Sequence, residues 1–256
     1  MSKLKPVEIE LHPGHWVVGT GARGIIDEVT EARKVTKRVY EILQASKIPS
    51  TYFEDNTSKS QAQNLNTLVG HHNKDKNGLV VSVHFNASAG TVDRAIGTEV
   101  LYYDQKKLAE DLSKAMAQAG GFKNRGAKQN KNIAVLANTY EPAVLLEVCF
   151  VNSKEDVALY RKNFEGICQA IARVLANYLG KELKLVAPVV NVKPVTETEK
   201  KEEIELNETG RTAAKNMIKR GVAEGYFKSD HKDLEKYDDK TLMSYALAYL
   251  DRKTGK

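Results

Sequence analysis

The sequence of 256 residues is poor in cysteine and has no long apolar run, and each absence excludes a class of protein. Cys149 and Cys168 are the only cysteines, which excludes a disulfide framework and predicts folding in a reducing cytoplasm. No stretch approaches the roughly 18 apolar residues that span a bilayer, so we expect no membrane insertion. Residues 1–15 lack the apolar segment of a secretory signal. Internal repeats and low-complexity tracts are also missing.

The composition that is present favours a folded, moderately basic protein. Hydrophobic residues make up 41% of the chain, which is too high for a wholly disordered protein. Lysine and arginine number 39 against 33 acidic residues, so the net charge is 39 − 33 = +6. This charge favours anionic partners in general. An acidic run at 197–208 and the lack of a recognition motif argue against nucleic acid as the partner.

Strand and helix patterns alternate through the first two thirds of the chain. Near-continuous apolar runs such as LVVSVHF (79–85) and AVLLEVCF (143–150) are typical of strands buried on both faces. Apolar residues at three- and four-residue steps predict helices between them. The alternation predicts an α/β fold, with a twisted, largely parallel sheet flanked by helices. The predicted strands cover 7–11, 51–54, 79–85, 98–103, 133–136 and 143–150. Four helices are predicted: one that begins near Val29, one that includes Leu65, one over 106–118 and one that ends near Tyr178.

A change in composition at Leu183 divides the chain. We expect a catalytic domain over 1–182, a linker over 183–207 with two prolines and a run of charges, and a small helical domain over 208–256. A segment of about 50 residues builds only a small core of its own. Self-association through its helices, giving a homo-oligomer, is therefore one of its expected roles.

Three ionisable residues lie at the ends of strands or helices, and a fourth lies inside a strand. His15 follows the first strand and His84 lies near the end of a buried strand, so both imidazoles are expected in the crevice at the carboxyl edge of the sheet. Glu28 lies at the start of a helix, a favourable position for a carboxylate. Glu147 lies between Leu146 and Val148 inside an apolar strand, where an isolated carboxylate is costly to bury.

Two imidazoles and a carboxylate form the ligand set of a catalytic zinc ion, and Glu147 is then the candidate base for a metal-activated water. Each residue also has a structural alternative. His15 is then a turn residue, His84 a satisfied core histidine and Glu28 a solvated helix-end charge. Residue types and spacings alone leave these alternatives open.

Four segments resemble the zinc-dependent N-acetylmuramoyl-L-alanine amidases of the type-3 family, in the branch found as phage and prophage endolysins. HPGH (12–15) is similar to the family's Asp-Pro-Gly-His motif, and GIIDE (24–28) to its segment ending in a zinc glutamate. SVHFNAS (82–88) is similar to the Ser-Ile-His-x-Asn-Ala motif, and PAVLLEVCFVNSKED (142–156) to the segment with the catalytic glutamate. The likeness covers about 5–180 and includes NRGAK (124–128).

The resemblance implies Zn²⁺ bound by His15, Glu28 and His84, with Glu147 as catalytic residue and Asn86 and Arg125 as substrate contacts. The implied reaction cleaves the amide bond between N-acetylmuramic acid and L-alanine in peptidoglycan. A zinc peptidase that cuts within the stem peptide and a non-catalytic wall-binding protein are the alternatives.

The same resemblance implies a role for the last segment and a place of action. The C-terminal domain would target a secondary wall polymer. The protein would be made in the host cytoplasm without a signal peptide and act on the wall after release. Two departures leave rival ligands open: His12 stands where the family has aspartate, and Glu31 lies almost one turn after Glu28.

Overall fold

The computed structural model describes residues 6–184, 208–227, 233–239, 241–242, 245–246 and 249. The chain divides into two compact units between Val189 and Val190. Of the predicted linker, only Leu183 and Lys184 are described, and the rest lies outside the described residues. Leu183 is buried in the core of the first unit. None of the described helices is long and apolar enough to cross a membrane.

The first unit is built on one six-stranded sheet of order β2-β1-β3-β6-β4-β5. All neighbouring strands run parallel except β4, which is antiparallel to β6. The prediction of an α/β fold with a largely parallel sheet is confirmed. The strands are β1 (Glu8–Pro13), β2 (Ser50–Tyr52), β3 (Gly78–Asn86), β4 (Thr98–Tyr102), β5 (Asn124–Gln129) and β6 (Ala143–Phe150).

Helices cover both faces of this sheet, and three of them begin at the side-chain caps that favour a helix start. Asp27, Ser60 and Ser153 each accept a hydrogen bond from a backbone N–H of the first turn. The helices of the first unit are α1 (Glu28–Ala45), α2 (Gln61–His72), α3 (Lys106–Gly120), α4 (Ala134–Asn138) and α5 (Lys154–Tyr178).

The two faces of the sheet differ in chemistry because side chains alternate along each strand. On one face, residues such as Ile9, Val83 and Leu146 enter the main core with α1, α3 and α5. On the other face, Val80 and Leu145 pack with Leu68, Val135 and Leu136 of α2 and α4 in a smaller apolar cluster. The polar and ionisable residues of β1, β3 and β6 alternate with the core residues and therefore belong to this second face.

One prediction of local structure is wrong, and one strand was not predicted. The run IAVL (133–136) was expected to be a strand, but α4 begins within it and buries Val135 and Leu136 in the same apolar cluster. A short apolar run cannot separate strand from helix by periodicity. Strand β5 was not predicted, because its sequence NRGAKQ is polar and its side chains are exposed or half-buried at the sheet edge.

The second unit contains α6 (Glu208–Ala223), which confirms the helix predicted after residue 208. Ala214 and Ile218 on its apolar side are buried. They belong to a buried apolar cluster with Phe227, Leu234, Leu242, Ala246 and Tyr249. A short 3-10 helix spans Leu234–Lys236.

Candidate metal centre and active site

Two histidines meet where β1 and β3 end. His15 follows β1 by two residues, and its backbone φ of 64° is in the left-handed region that few non-glycine residues adopt. Asn64 of α2 donates a hydrogen bond to the His15 carbonyl (3.3 Å). His84 lies near the end of β3, and the two imidazole rings are 5.1 Å apart, edge to face. The carboxyl edge of the sheet therefore brings the two predicted imidazoles together.

Glu28 joins the two imidazoles. It is the first residue of α1, and its side chain is almost fully buried. Glu28 Oε2 lies 3.0 Å from His15 Nε2, and Oε1 lies 2.9 Å from His84 Nδ1. The backbone N–H groups of Ala22 (2.5 Å) and Phe85 (3.2 Å) also donate to this carboxylate. One buried carboxylate thus fixes residues from three separate segments.

The charge of Glu28 is stabilised by its neighbours. Burial alone would raise the pKa of the carboxyl, but the hydrogen bonds to His15 and His84 outweigh burial and lower the pKa well below its ordinary range. Glu28 is therefore an ionised, preoriented oxygen donor at neutral pH.

The geometry around these three side chains fits a small cation. One ligand atom from each of His15, Glu28 and His84 lies within 4.8 Å of the other two. A Cβ at Gly21 would lie 2.6 Å from Glu28 Oε2, and a Cβ at Gly14 would lie 2.1 Å from His84 Cε1, so two glycines allow the backbone to close around the donors. His84 Nε2 is 3.1 Å from Ser82 Oγ, the outer hydrogen bond that commonly orients a metal-binding imidazole. Two imidazole nitrogens and one carboxylate oxygen suit Zn²⁺.

Glu147 lies beside this group. It is the register partner of His84 on the neighbouring parallel strand β6, so both side chains extend from the same face of the sheet. Its Oε2 is buried and has no hydrogen-bond partner within the described residues. Burial, together with the negative charges of Glu28 and Glu99, raises the pKa of Glu147 to about 8. This unpaired carboxyl is available for proton transfer.

Asn86 and Arg125 lie in a second polar group, centred on a carboxylate that the sequence analysis missed. Asn86 donates to Glu99 Oε1 (3.2 Å), Arg125 Nε donates to Glu99 Oε2 (2.5 Å), and Lys128 also pairs with Glu99. Glu99 is buried, and it lies directly opposite Glu147 in the β4–β6 pairing. Burial alone would raise the pKa of Glu99, but Lys128 and Arg125 lower it below its ordinary value.

Like Glu147, Glu99 is a carboxylate inside an apolar strand pattern, TEVLYY (98–103). That pattern could have identified it from the sequence. The same network fixes the side chain of Arg125. Its guanidinium is paired with Glu99 and lies over the Phe150 ring, 5.1 Å from the centroid.

A cavity of about 390 Å³ opens next to the candidate ligands. His15, His84 and Glu147 line it together with residues of α2 and α4. The incorrectly predicted strand at 133–136 therefore contributes helical residues to the wall of the cavity. The remaining lining residues are Gln61, Asn64, Leu65, Leu68, Asn132, Ile133, Ala134, Val135 and Leu145.

The structure separates the two rival ligands from this group. His12 is fully buried and its Nδ1 lies 2.8 Å from His72 Nε2. Glu31 accepts a hydrogen bond from the Tyr160 hydroxyl (2.8 Å) and pairs with Lys34. Neither belongs to the cluster of His15, Glu28 and His84.

Known proteins resemble two thirds or more of the chain. It is 30% identical over 229 residues to an uncharacterised protein of Clostridium perfringens, covering 87% of this chain and 65% of that protein. It is 28% identical over 180 residues to the probable cell wall amidase LytH of Staphylococcus saprophyticus, covering 68% of this chain and 59% of that protein. The chain thus spans less than two thirds of the length of these relatives.

Solved structures match the fold. The catalytic domain of CD27L endolysin targeting Clostridia difficile superposes with a TM-score of 0.60 at 25% identity, over 70% of this chain and 99% of that domain. The catalytic domain of CwlV, an N-acetylmuramoyl-L-alanine amidase from Bacillus (Paenibacillus) polymyxa var. colistinus, superposes with a TM-score of 0.57 at 27% identity, over 69% of this chain and 99% of that domain. The Amidase_3 family model, described as N-acetylmuramoyl-L-alanine amidase, matches residues 9–177. The chain belongs to this amidase family.

Proposed function

We propose that the protein is a zinc-dependent N-acetylmuramoyl-L-alanine amidase that cleaves the amide bond between N-acetylmuramic acid and L-alanine of peptidoglycan. The observation that carries the proposal is the convergence of His15, Glu28 and His84, far apart in sequence, beside the unpaired carboxyl of Glu147. Membership of the amidase family supports the choice of bond.

His15, Glu28 and His84 would bind the zinc ion through two imidazole nitrogens and one carboxylate oxygen. When bound, Zn²⁺ supplies a water of lowered pKa and polarises a carbonyl oxygen. Glu28 is suited to this role because its ionised carboxylate is already fixed between both rings.

Glu147 is the proton carrier in this proposal. Its carboxylate takes a proton from the attacking water and delivers it to the leaving amide nitrogen. Its pKa of about 8 results from burial and two negative neighbours. A cation bound by Glu28 would oppose those charges and would lower the pKa of Glu147 toward the range of a base at neutral pH.

Asn86 and Arg125 are the proposed substrate contacts. The network centred on Glu99 fixes both at one side of Glu147. A carboxylate of the stem peptide would compete with Glu99 for the guanidinium of Arg125, which is suited to bidentate pairing with such a group.

We assign the protein to the endolysin branch and the second unit to wall targeting, with a secondary wall polymer as its ligand. A targeting unit raises the effective concentration of the catalytic unit at the wall. The buried cluster around Ile218 supports a folded helical unit, and self-association through its helices is the alternative role.

Analysis of digested peptidoglycan tests the proposal. We expect new amino termini of L-alanine and no free termini of D-amino acids, with activity lost on chelation and restored by Zn²⁺. Cleavage within the stem peptide would instead identify a zinc peptidase. A protein that binds walls but releases no amino termini would be a non-catalytic wall binder. Full activity of a metal-free preparation would contradict the metal mechanism.

A further inference from the structure

A second group of ionisable side chains lies at the opposite end of the same sheet face. Glu10 is on β1, His72 is the last residue of α2, and Glu141 precedes β6 by two residues. Their exposed fractions are 6%, 1% and 3%.

The three side chains converge on one point. His72 Nδ1 lies 2.5 Å from Glu10 Oε2, and one ligand atom from each of the three residues lies within 4.8 Å of the others. Glu141 Oε1 accepts a hydrogen bond from the Gly78 N–H (2.7 Å), whereas Oε2 is buried and has no partner within the described residues. A Cβ at Gly78 would lie 2.3 Å from Glu10 Oε1, so a glycine permits this close approach.

The group is part of a larger cluster of carboxylates. Glu8 and Asp75 lie within 4.8 Å of Glu10 and extend the cluster from the buried group to the exposed Asp75. Within the described part of the chain, none of these four carboxylates has a lysine or arginine ion-pair partner. Burying an uncompensated carboxylate is costly, and an ion-pair partner or a metal ion removes most of that cost.

The pKa values agree with this geometry. Burial, followed by the negative charges of Asp75 and Glu8, raises the pKa of Glu10 to about 7. Burial and the charges of Glu10 and Asp75 also raise the pKa of Glu141 to about 7. Both directions are those expected of buried carboxyls beside other carboxyls.

We propose that Glu10, His72 and Glu141 bind a second divalent transition-metal ion, of the Zn²⁺ class. Two carboxylates and one imidazole suit such an ion, whereas Ca²⁺ prefers oxygen ligands alone. The other ring nitrogen of His72 contacts His12 Nδ1, in the manner of the outer partners of metal-binding imidazoles. The bound ion connects β1, the end of α2 and the segment before β6, so its role is structural. The site does not depend on the proposed amidase function.

Counting metal ions on the full chain tests the site. The protein is stripped with a chelator, incubated with Zn²⁺ alone, desalted and analysed for zinc per chain. We expect two ions for the wild type and one for each of the variants Glu141→Gln and His84→Ala. The double variant, which combines these two changes, should bind none. Glu141→Gln keeps the acceptor for the Gly78 N–H. Glu110→Gln, which changes an exposed carboxylate on α3, is the matched control and should retain two ions.

Thermal unfolding gives a second measurement that activity does not influence. Saturating Zn²⁺ should raise the Tm of His84→Ala by roughly 5 °C and leave the Tm of the double variant unchanged. Since His84→Ala leaves the second site intact, the proposal remains testable even where Glu141→Gln does not fold.

The outcomes separate this site from the catalytic one. A His84→Ala variant that binds no zinc, or a Glu141→Gln variant that retains two ions, would overturn the second site, and shared protons between the carboxyls would then explain the cluster. If Glu141→Gln loses one ion and His84→Ala loses none, the result would support the second site and contradict the proposed catalytic zinc site.

Discussion

The two ends of one sheet face stabilise buried carboxylates in different ways. At the carboxyl edge, Glu28 is flanked by two imidazoles and two backbone N–H donors, and its pKa falls. At the amino edge, Glu10 and Glu141 face each other and His72 with fewer donors, and their pKa values rise. All three carboxyls are buried, so their neighbours decide the direction of each shift: imidazoles lower the pKa of Glu28, and negative charges raise the pKa values of Glu10 and Glu141.

The largest expected effect concerns proton transfer at the carboxyl edge. Glu147→Gln removes the proposed base but keeps the size of the side chain, so we expect the amidase rate to fall by about 10²–10⁴-fold. Zinc content and Tm should remain those of the wild type, because the change spares the three candidate ligands. A variant within tenfold of the wild-type rate would remove Glu147 from the mechanism.

The next effect concerns stability at the amino edge in metal-stripped protein. Glu10 and Glu141 have pKa values of about 7 in the folded protein, above the ordinary value of 4.5. Their contribution to the free energy of unfolding is therefore fully present below about pH 4.5 and is lost as pH rises through 7. The loss is on the order of 3 kcal/mol for each of the two carboxyls.

Denaturant unfolding of the metal-stripped protein across pH 4.5–8 measures this loss. The Glu10→Gln/Glu141→Gln variant should not show it, so its stability relative to the wild type should increase with pH. Parallel pH profiles of the two proteins would contradict the raised pKa values.

A smaller effect is expected at Glu99, the carboxylate opposite Glu147. Glu99→Gln weakens the network that fixes Asn86 and Arg125, and we expect kcat/KM to fall roughly tenfold. The change also removes a negative charge that raises the pKa of Glu147, so the acidic limb of the pH–rate profile should move to lower pH. Kinetics over pH 5–9, with Glu110→Gln as control, measure both. An unchanged limb would indicate that the two carboxylates are not coupled.

Removal of the second unit is expected to have the smallest effect on the two ionisable groups of the sheet. A chain ending at residue 184 keeps both groups of the sheet, so its zinc content and its rate on soluble muropeptides should stay within about twofold of the full chain. Binding to intact walls should decrease. Metal loss or insolubility of the shorter chain would show that the first unit depends on the second.

Most of the fold could be predicted from the sequence because its signals are local. Continuous apolar runs marked β3 and β6, and apolar spacing marked α1 and α5. The exposed edge strand β5 has no such pattern, and the short helix α4 shares its apolar run with a strand. These two elements depend on neighbours that are distant in sequence.

The sequence by itself determined the fold class and the residue types available for chemistry, because periodicity and apolar flanks are properties of neighbouring residues. His15, Glu28, His84 and Glu147 were identified on that basis with the help of motif resemblance. Only the tertiary structure decided which carboxylates have donors around them. The pairing of Glu99 with Arg125 and the burial of His72 against Glu10 arise from contacts between residues 26 and 62 positions apart, which no local pattern records.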